Sequence, residues 1–122
     1  MARVLIVDDE RVTAELLAMT MSLRGHTPFI AYHAMQGLEV VASEQPDIIL
    51  LDLMMPGMDG YEMLARLRSM PEGKDLPVIV LTASHEDDLE EHVYSAGGNA
   101  CLRKPIDMQA LEKAIAELTD DV

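Results

Sequence analysis

At 122 residues, 49% apolar and 25% charged, the chain is long enough for one packed domain and too short for two. Its 22 acids against 9 Lys and Arg leave a net charge of −13, which opposes unaided binding to nucleic acid or an anionic membrane and favours a metal cation or a basic patch on a partner protein. A single cysteine, Cys101, excludes an internal disulfide framework and fits a reducing, cytoplasmic compartment.

The chain opens with a short aliphatic run, Val4 to Val7, that stops at Asp8-Asp9-Glu10. This predicts a buried strand ending in acids, and it is too short for a signal peptide or a membrane span. A helical pattern follows from Arg11 to Arg24, with Val12, Leu16, Met19 or Thr20 and Leu23 at spacings of three and four, and Gly25 as its stop. Thr27 to Ala31 reads as a second strand, and Pro28 places it at a sheet edge because proline cannot donate to a neighbour. Ala34 to Ser43 is a second helix, burying Leu38, Val41 and Ala42.

Ile48-Ile49-Leu50-Leu51-Asp52 is the central stretch. Four aliphatic residues end at a carboxylate, and a Pro/Gly turn, Pro56-Gly57 and Asp59-Gly60, follows. Such a run reads as a strand buried on both faces of a parallel sheet. Tyr61 to Arg68 is a short helix with Met63, Leu64 and Leu67 inward. Pro71 to Pro77 is a loop whose tight point is Gly73.

Val78 to Leu81 repeats the aliphatic run and ends at Thr82. Glu86 to Ala96 is a helix with an acidic start, which suits the positive end of its dipole, and Gly97-Gly98 ends it. Ala100 to Arg103 is a short fifth strand before Lys104-Pro105. Met108 to Leu118 is the last helix, with Met108, Leu111, Ile115 and Leu118 on one face and Asp107 as N-cap. Ten methionines against three Tyr, one Phe and no Trp leave soft side chains to fill core gaps, with Met54, Met55 and Met58 split between core and loop.

Alternation of five strands with five helices predicts an α/β fold, a flavodoxin-like (βα)5 doubly wound parallel sheet in the order 2-1-3-4-5. In that order the carboxyl ends of strands 1, 3, 4 and 5 bring together Asp8, Asp9, Asp52, Thr82 and Lys104. Like charges about 4 Å apart repel by about 4 kcal/mol at an effective dielectric of about 20. One lysine does not offset three acids, so either an acid is protonated or a divalent cation is held. Hard oxygen ligands describe magnesium better than zinc, and no His or Cys cluster competes. A hydroxyl at Thr82 and an ammonium at Lys104 suit a phosphoryl group, with Asp52 as the nucleophile. Singly, these side chains have bland readings: an acid pair solvating a loop, a threonine closing a strand, a surface lysine. His85 and His92 read as surface histidines, and Cys101 as a small buried residue.

Val7-Asp8-Asp9-Glu10, Asp52 with Met55-Pro56-Gly57 and Asp59-Gly60, Leu81-Thr82-Ala83, and Lys104-Pro105 together resemble the receiver domain of two-component response regulators, CheY-like proteins. The resemblance covers the whole chain. It implies that Asp52 accepts a phosphoryl group from a phosphohistidine on a sensor histidine kinase or a histidine phosphotransfer protein. It also implies magnesium held directly by Asp9 and Asp52, by Asp8 through water and by the Met54 backbone carbonyl. Thr82 is then the switch hydroxyl and Lys104 the phosphoryl-binding cation, ahead of a cis peptide bond to Pro105. Downstream, the face of helix 4, strand 5 and helix 5 would meet a protein target. The expectation is a single receiver domain over residues 1–122, a switch and not an enzyme beyond slow self-dephosphorylation, with no output domain.

Two positions depart from the family pattern. Three residues before the lysine, where receivers often carry a switching Tyr or Phe, stands Cys101, so coupling from Thr82 through strand 5 runs differently. Gly98 stands where Ala is common, a small and harmless change. Three other readings follow from the same residues: a receiver cut from a longer DNA-binding or enzymatic regulator, a small magnesium-dependent phosphohydrolase, and a flavin-binding domain. The hydrolase would need an acid where Met54 stands. The flavin domain would need a Ser/Thr/Gly-rich loop where Asp8-Asp9-Glu10 stands.

Overall fold

The computed structural model describes residues 1–119. Strands β1 (Arg3–Val7), β2 (Thr27–Ala31), β3 (Ile48–Asp52), β4 (Val78–Thr82) and β5 (Ala100–Arg103) alternate with helices α1 (Arg11–Leu23), α2 (Ala34–Glu44), α3 (Gly60–Arg68), α4 (Leu89–Ala96) and α5 (Met108–Thr119). All strand pairs are parallel, in the expected order β2-β1-β3-β4-β5. Pro28 lies on the edge strand β2, where one side of the ladder has no neighbour to serve. Among the described residues no helix is long and apolar enough to cross a membrane.

The continuous aliphatic runs are explained by two cores, one on each sheet face. Successive side chains of a strand point to opposite faces. Leu5, Val7, Ile49, Leu51, Val78 and Val80 therefore pack with Leu38, Val41, Met63, Leu64, Leu67 and Val93 of α2, α3 and α4. Val4, Ile6, Ile48, Leu50, Ile79 and Leu81 pack with Ala14, Leu17, Met21, Leu111 and Ile115 of α1 and α5. Every residue of β3 and β4 is buried, so these strands form a fixed floor for whatever sits at their carboxyl ends.

Helix α1 turns the other way from the expected stripe. Val12, Leu16, Met19 and Leu23 are 71%, 58%, 61% and 82% exposed, whereas Ala14, Leu17 and Met21 are buried. The helix is apolar on two sides, and both stripes satisfy the 3.6-residue period. The sheet takes the side with Ala14 and Ala18, whose small side chains let the backbones approach. In α2, Ala42 is exposed, and Ala34 and Gly37 are buried with Leu38 and Val41. Helix α4 starts at Leu89, three residues later than the acidic run suggests, leaving Glu86 in an extended loop and Asp87 and Asp88 in a turn. Asp107 caps α5 as expected, its Oδ1 accepting the Gln109 amide at 2.9 Å, and Asp59, read from the sequence only as a turn residue, caps α3 by accepting the Glu62 amide at 2.9 Å.

Gly98 is more than a small change from alanine. A Cβ there would lie 2.5 Å from Val93 Cγ1, so the turn after α4 folds back on its own helix more closely than an alanine permits. At Gly73 a Cβ would lie 2.5 Å from the Leu67 carbonyl oxygen, which accounts for the tight loop after α3.

The end of the sheet remote from Asp52 is bound together by side chains. His26, buried, accepts the Ala2 amide at Nδ1 (3.0 Å), and its Nε2 faces the Glu112 carboxylate at 3.2 Å, joining β1, β2 and α5. With Nδ1 accepting, the ring proton is on Nε2. Arg68 of α3 donates Nη1 to the Gly73 and Leu76 carbonyls (both 2.7 Å), Nη2 to the Gly97 carbonyl (2.6 Å) and to Asn99 Oδ1 (3.1 Å), and Nε to Gly97 (3.2 Å). One planar fork thus ties α3, the loop before β4 and the end of α4. A lysine has the charge but cannot span these acceptors. Arg68→Lys is expected to cost about 2–3 kcal/mol in urea unfolding with an unchanged m-value. A loss below about 0.5 kcal/mol, the range of an ordinary surface change, would contradict this role.

Candidate functional site

The carboxyl ends of β1, β3, β4 and β5 deliver the expected residues to one place. Carboxylate oxygens of Asp8, Asp9 and Asp52 all lie within 4.8 Å of one another. Asp8 and Asp52 are only 2% and 6% exposed, while Asp9 is open to solvent. The Lys104 ammonium stands 3.5 Å from Asp8 Oδ2 and 3.8 Å from Asp52 Oδ2, bridging the two buried acids. The Lys104–Pro105 peptide is cis. Thr82 is fully buried.

Local backbone holds each group. The Glu10 amide donates to Asp8 Oδ1 at 3.0 Å, and the Met54 amide donates to Asp52 Oδ1 at 3.1 Å. Both are i to i+2 bonds that fasten a carboxylate to the turn after its own strand. Thr82 Oγ accepts the Ser84 amide at 3.1 Å in the same way. Lys104 is aligned with the floor because its amide donates to the Thr82 carbonyl at 2.8 Å.

Burial raises the Asp52 carboxyl above its usual range; the Met54 amide and Lys104 pull it back down, and Asp8 and Asp9 push it further up. Three acids against one ammonium leave an excess of negative charge in a poorly solvated pocket. Only oxygen donors of the hard type are present, with one face open through Asp9. That donor set fits a small divalent cation that keeps some of its water, as magnesium does.

Asp8, Asp9, Asp52 and Lys104 are brought together, and Thr82 ends the neighbouring strand, joined to Lys104 through its carbonyl. Met54 follows Asp52 with its side chain 69% exposed, so only its backbone belongs to the site. Cys101 is half-buried on β5 against the α2–α4 core, and burial pushes its thiol up, away from a reactive thiolate. It is not part of the pocket. His85 and His92 are exposed; His92 stacks on Tyr61 with centroids 4.4 Å apart. A cavity of about 420 Å³ lies between the residues that follow β3 and those that follow β4, and is lined by Leu53, Met54, Met55, Tyr61, Ser84 and Glu86 among others. Ser84 carried no signal in the sequence, since its importance lies in its backbone amide.

A family model described as the response regulator receiver domain matches residues 4–116. Response regulator MprA of Mycobacterium ulcerans is 42% identical over 118 residues, 95% of this chain and 48% of that protein. The chain therefore spans about half the length of the curated relatives it matches. Among solved structures, the signal receiver domain of a DNA-binding response regulator from Colwellia psychrerythraea is 31% identical, with a TM-score of 0.86 over 97% of this chain and 98% of its own. Chemotaxis protein CheY4 of Vibrio cholerae is 25% identical, with a TM-score of 0.89 over 97% and 98%.

A carboxyl whose folded pKa exceeds its unfolded value binds its proton more tightly when folded. Its ionisation therefore costs stability as pH rises through that window. Replacing Asp52 by the neutral isostere removes the cost and keeps the bond to Met54. In a metal-free chelating buffer at neutral pH, Asp52→Asn is expected to unfold about 1–2 kcal/mol later than the parent, with the gain vanishing once the solution is acid enough to protonate the parent. An unchanged or lower unfolding midpoint would show that ionised Asp52 carries no net cost in this pocket, from burial or from its neighbouring acids.

Proposed function

The chain belongs to the response regulator receiver domain family, and from that membership we propose that Asp52 is its phosphoacceptor, charged from a phosphohistidine on a sensor histidine kinase or a histidine phosphotransfer protein. The observation that carries this is the Lys104 ammonium set between the two buried acids Asp8 and Asp52, with Asp9 within 4.8 Å.

Asp52 ends a strand buried along its whole length, so its carboxylate is presented from a floor that does not yield. A carboxylate oxygen of Asp52 attacks phosphorus; the P–O bond forms as the P–N bond to the donor imidazole breaks, and the imidazole leaves with the bonding pair. The Met54 amide orients the attacking carboxylate. Lys104 neutralises a phosphoryl oxygen, and Thr82, rotating away from the Ser84 amide, donates its hydroxyl to another. Magnesium, when bound, supplies further positive charge at the transferring phosphoryl group. Asp9 and Asp52 would hold it directly, Asp8 through water and Met54 through its backbone carbonyl.

The product is a signalling state, reset by slow hydrolysis of the aspartyl phosphate. Transfer of Thr82 from one partner to the other shifts the population between two arrangements of the loop after β4, and with it the face of α4, β5 and α5 that meets a downstream protein. The cytoplasmic side is where a kinase of this class would present its phosphohistidine. With a charge of −13 the domain itself binds neither nucleic acid nor membrane. Residues 1–122 act as one switching unit. A second reading, favoured by the half-length coverage of its relatives, makes that unit the receiver of a longer DNA-binding or enzymatic regulator.

Acetyl phosphate with magnesium is expected to add one phosphoryl group in the intact mass spectrum, and Asp52→Asn to add none. Equal labelling of the variant would sink the assignment. Calorimetry is expected to detect weak magnesium binding that Asp9→Ala removes; unchanged binding would mean that the acids are not the cation site.

A further inference from the structure

The β5 residue that reaches the loop after β4 is Arg103. It is the register partner of Thr82 in the sheet, so its backbone lies beside the switch hydroxyl's own strand position. Its guanidinium bends over the loop that follows Thr82, donating Nε to the Ser84 carbonyl at 3.3 Å and Nη2 to the Glu86 carbonyl at 2.8 Å. Nη1 stands 4.0 Å from the Glu90 carboxylate in the first turn of α4, a pair too exposed to contribute much by itself.

Ser84 is therefore held at both ends. Its amide donates to Thr82 Oγ, and its carbonyl accepts from Arg103. Its own hydroxyl accepts the Glu86 amide at 3.4 Å, which passes the same constraint along the loop. The loop has room to leave this arrangement, because Ser84 and Glu86 line the cavity of about 420 Å³ shared with Met54, Met55 and Tyr61. Cys101, two residues before Arg103, is too short to report on the loop and has no place in this chain of bonds.

We propose that Arg103 is the positioning residue that couples Thr82 to β5 and α4, clamping the Ser84 and Glu86 carbonyls in the resting state and releasing them when Thr82 turns to the phosphoryl group. This rests on the reading of Asp52 as phosphoacceptor. In the resting state the clamp holds Ser84 where its amide satisfies Thr82 Oγ, which favours the arrangement with the hydroxyl turned away from Asp52. Loss of the Ser84–Thr82 bond frees the loop to move into the cavity, and the guanidinium loses both carbonyls together. The planar fork is essential, because two acceptors two residues apart are met by one rigid group.

The test is an amide and arginine Nε–H correlation spectrum of the protein with magnesium, before and after addition of beryllofluoride as the phosphoryl mimic, with bound fluoride followed in parallel. The Arg103 Nε–H signal is expected to move with the Ser84 and Glu86 amides on binding; in Thr82→Val, which lacks the acceptor of the Ser84 amide, it is expected to start at the released position and not to move further when the mimic binds. Arg103→Ala is expected to start with loop amides displaced toward their mimic-bound positions and to take phosphate from acetyl phosphate severalfold faster. Arg103→Lys, which keeps the charge toward Glu90 and loses the fork, is expected to behave like the alanine variant. Bound fluoride with an unmoved Arg103 signal would overturn the coupling and leave Asp52 intact, as would wild-type rates in Arg103→Lys. Absence of bound fluoride would overturn the Asp52 site and the coupling with it.

Discussion

Three carboxylates against one ammonium, in a pocket where two of the acids are nearly out of water, is the constraint on which the rest of this structure depends. No arrangement of these groups alone is electrically comfortable. Placing them so requires a scaffold that cannot relax, and the parallel sheet supplies it, with β3 and β4 buried throughout and β1 beside them. The turns then fasten the carboxylates one by one, through the Glu10 and Met54 amides, so that the charge excess is stored and not dispersed. Such strain at a site, offset by packing elsewhere, is the usual relation between function and stability.

The molecule divides along the strand direction into a bound end and a free end. Remote from Asp52, Arg68 joins α3, α4 and the loop before β4, and His26 joins β1, β2 and α5. Near Asp52, the loops after β3 and β4 face a cavity, and the loop after β4 is held through Thr82 and the Arg103 guanidinium. In the proposed switch a small change at Asp52 is expressed at that end, and the proposed route runs from Thr82 through Ser84 to Arg103, without the half-buried Cys101.

Much of this was legible in the sequence because the strands announce themselves. A run such as Ile48 to Leu51 that stops at a polar residue states its burial, its direction and the position of its carboxyl end at once, and Pro28 identifies the edge. Where two solutions satisfy the same pattern, the sequence is silent. Helix α1 has two apolar stripes, and only docking against the sheet chooses Ala14, Leu17 and Met21 over Val12, Leu16, Met19 and Leu23. The start of α4 was misplaced because acids favour both a helix N-terminus and the loop before it. Gly98 looked replaceable because sequence carries no distance to Val93. Ser84 and Arg103 were missed for a related reason: the groups that matter are a backbone amide and carbonyl at one and a side-chain fork at the other, and their meeting is a property of the folded loop.

The central claim is that one carboxylate among several in this pocket carries the phosphoryl group. The most direct measurement is borohydride reduction of the protein after acetyl phosphate treatment, followed by peptide mass spectrometry, since an aspartyl phosphate is reduced to homoserine where it stands. Homoserine at position 52 alone is the predicted result. Homoserine at position 8, 9 or 59, or none in protein shown by its intact mass to be labelled, would contradict the account.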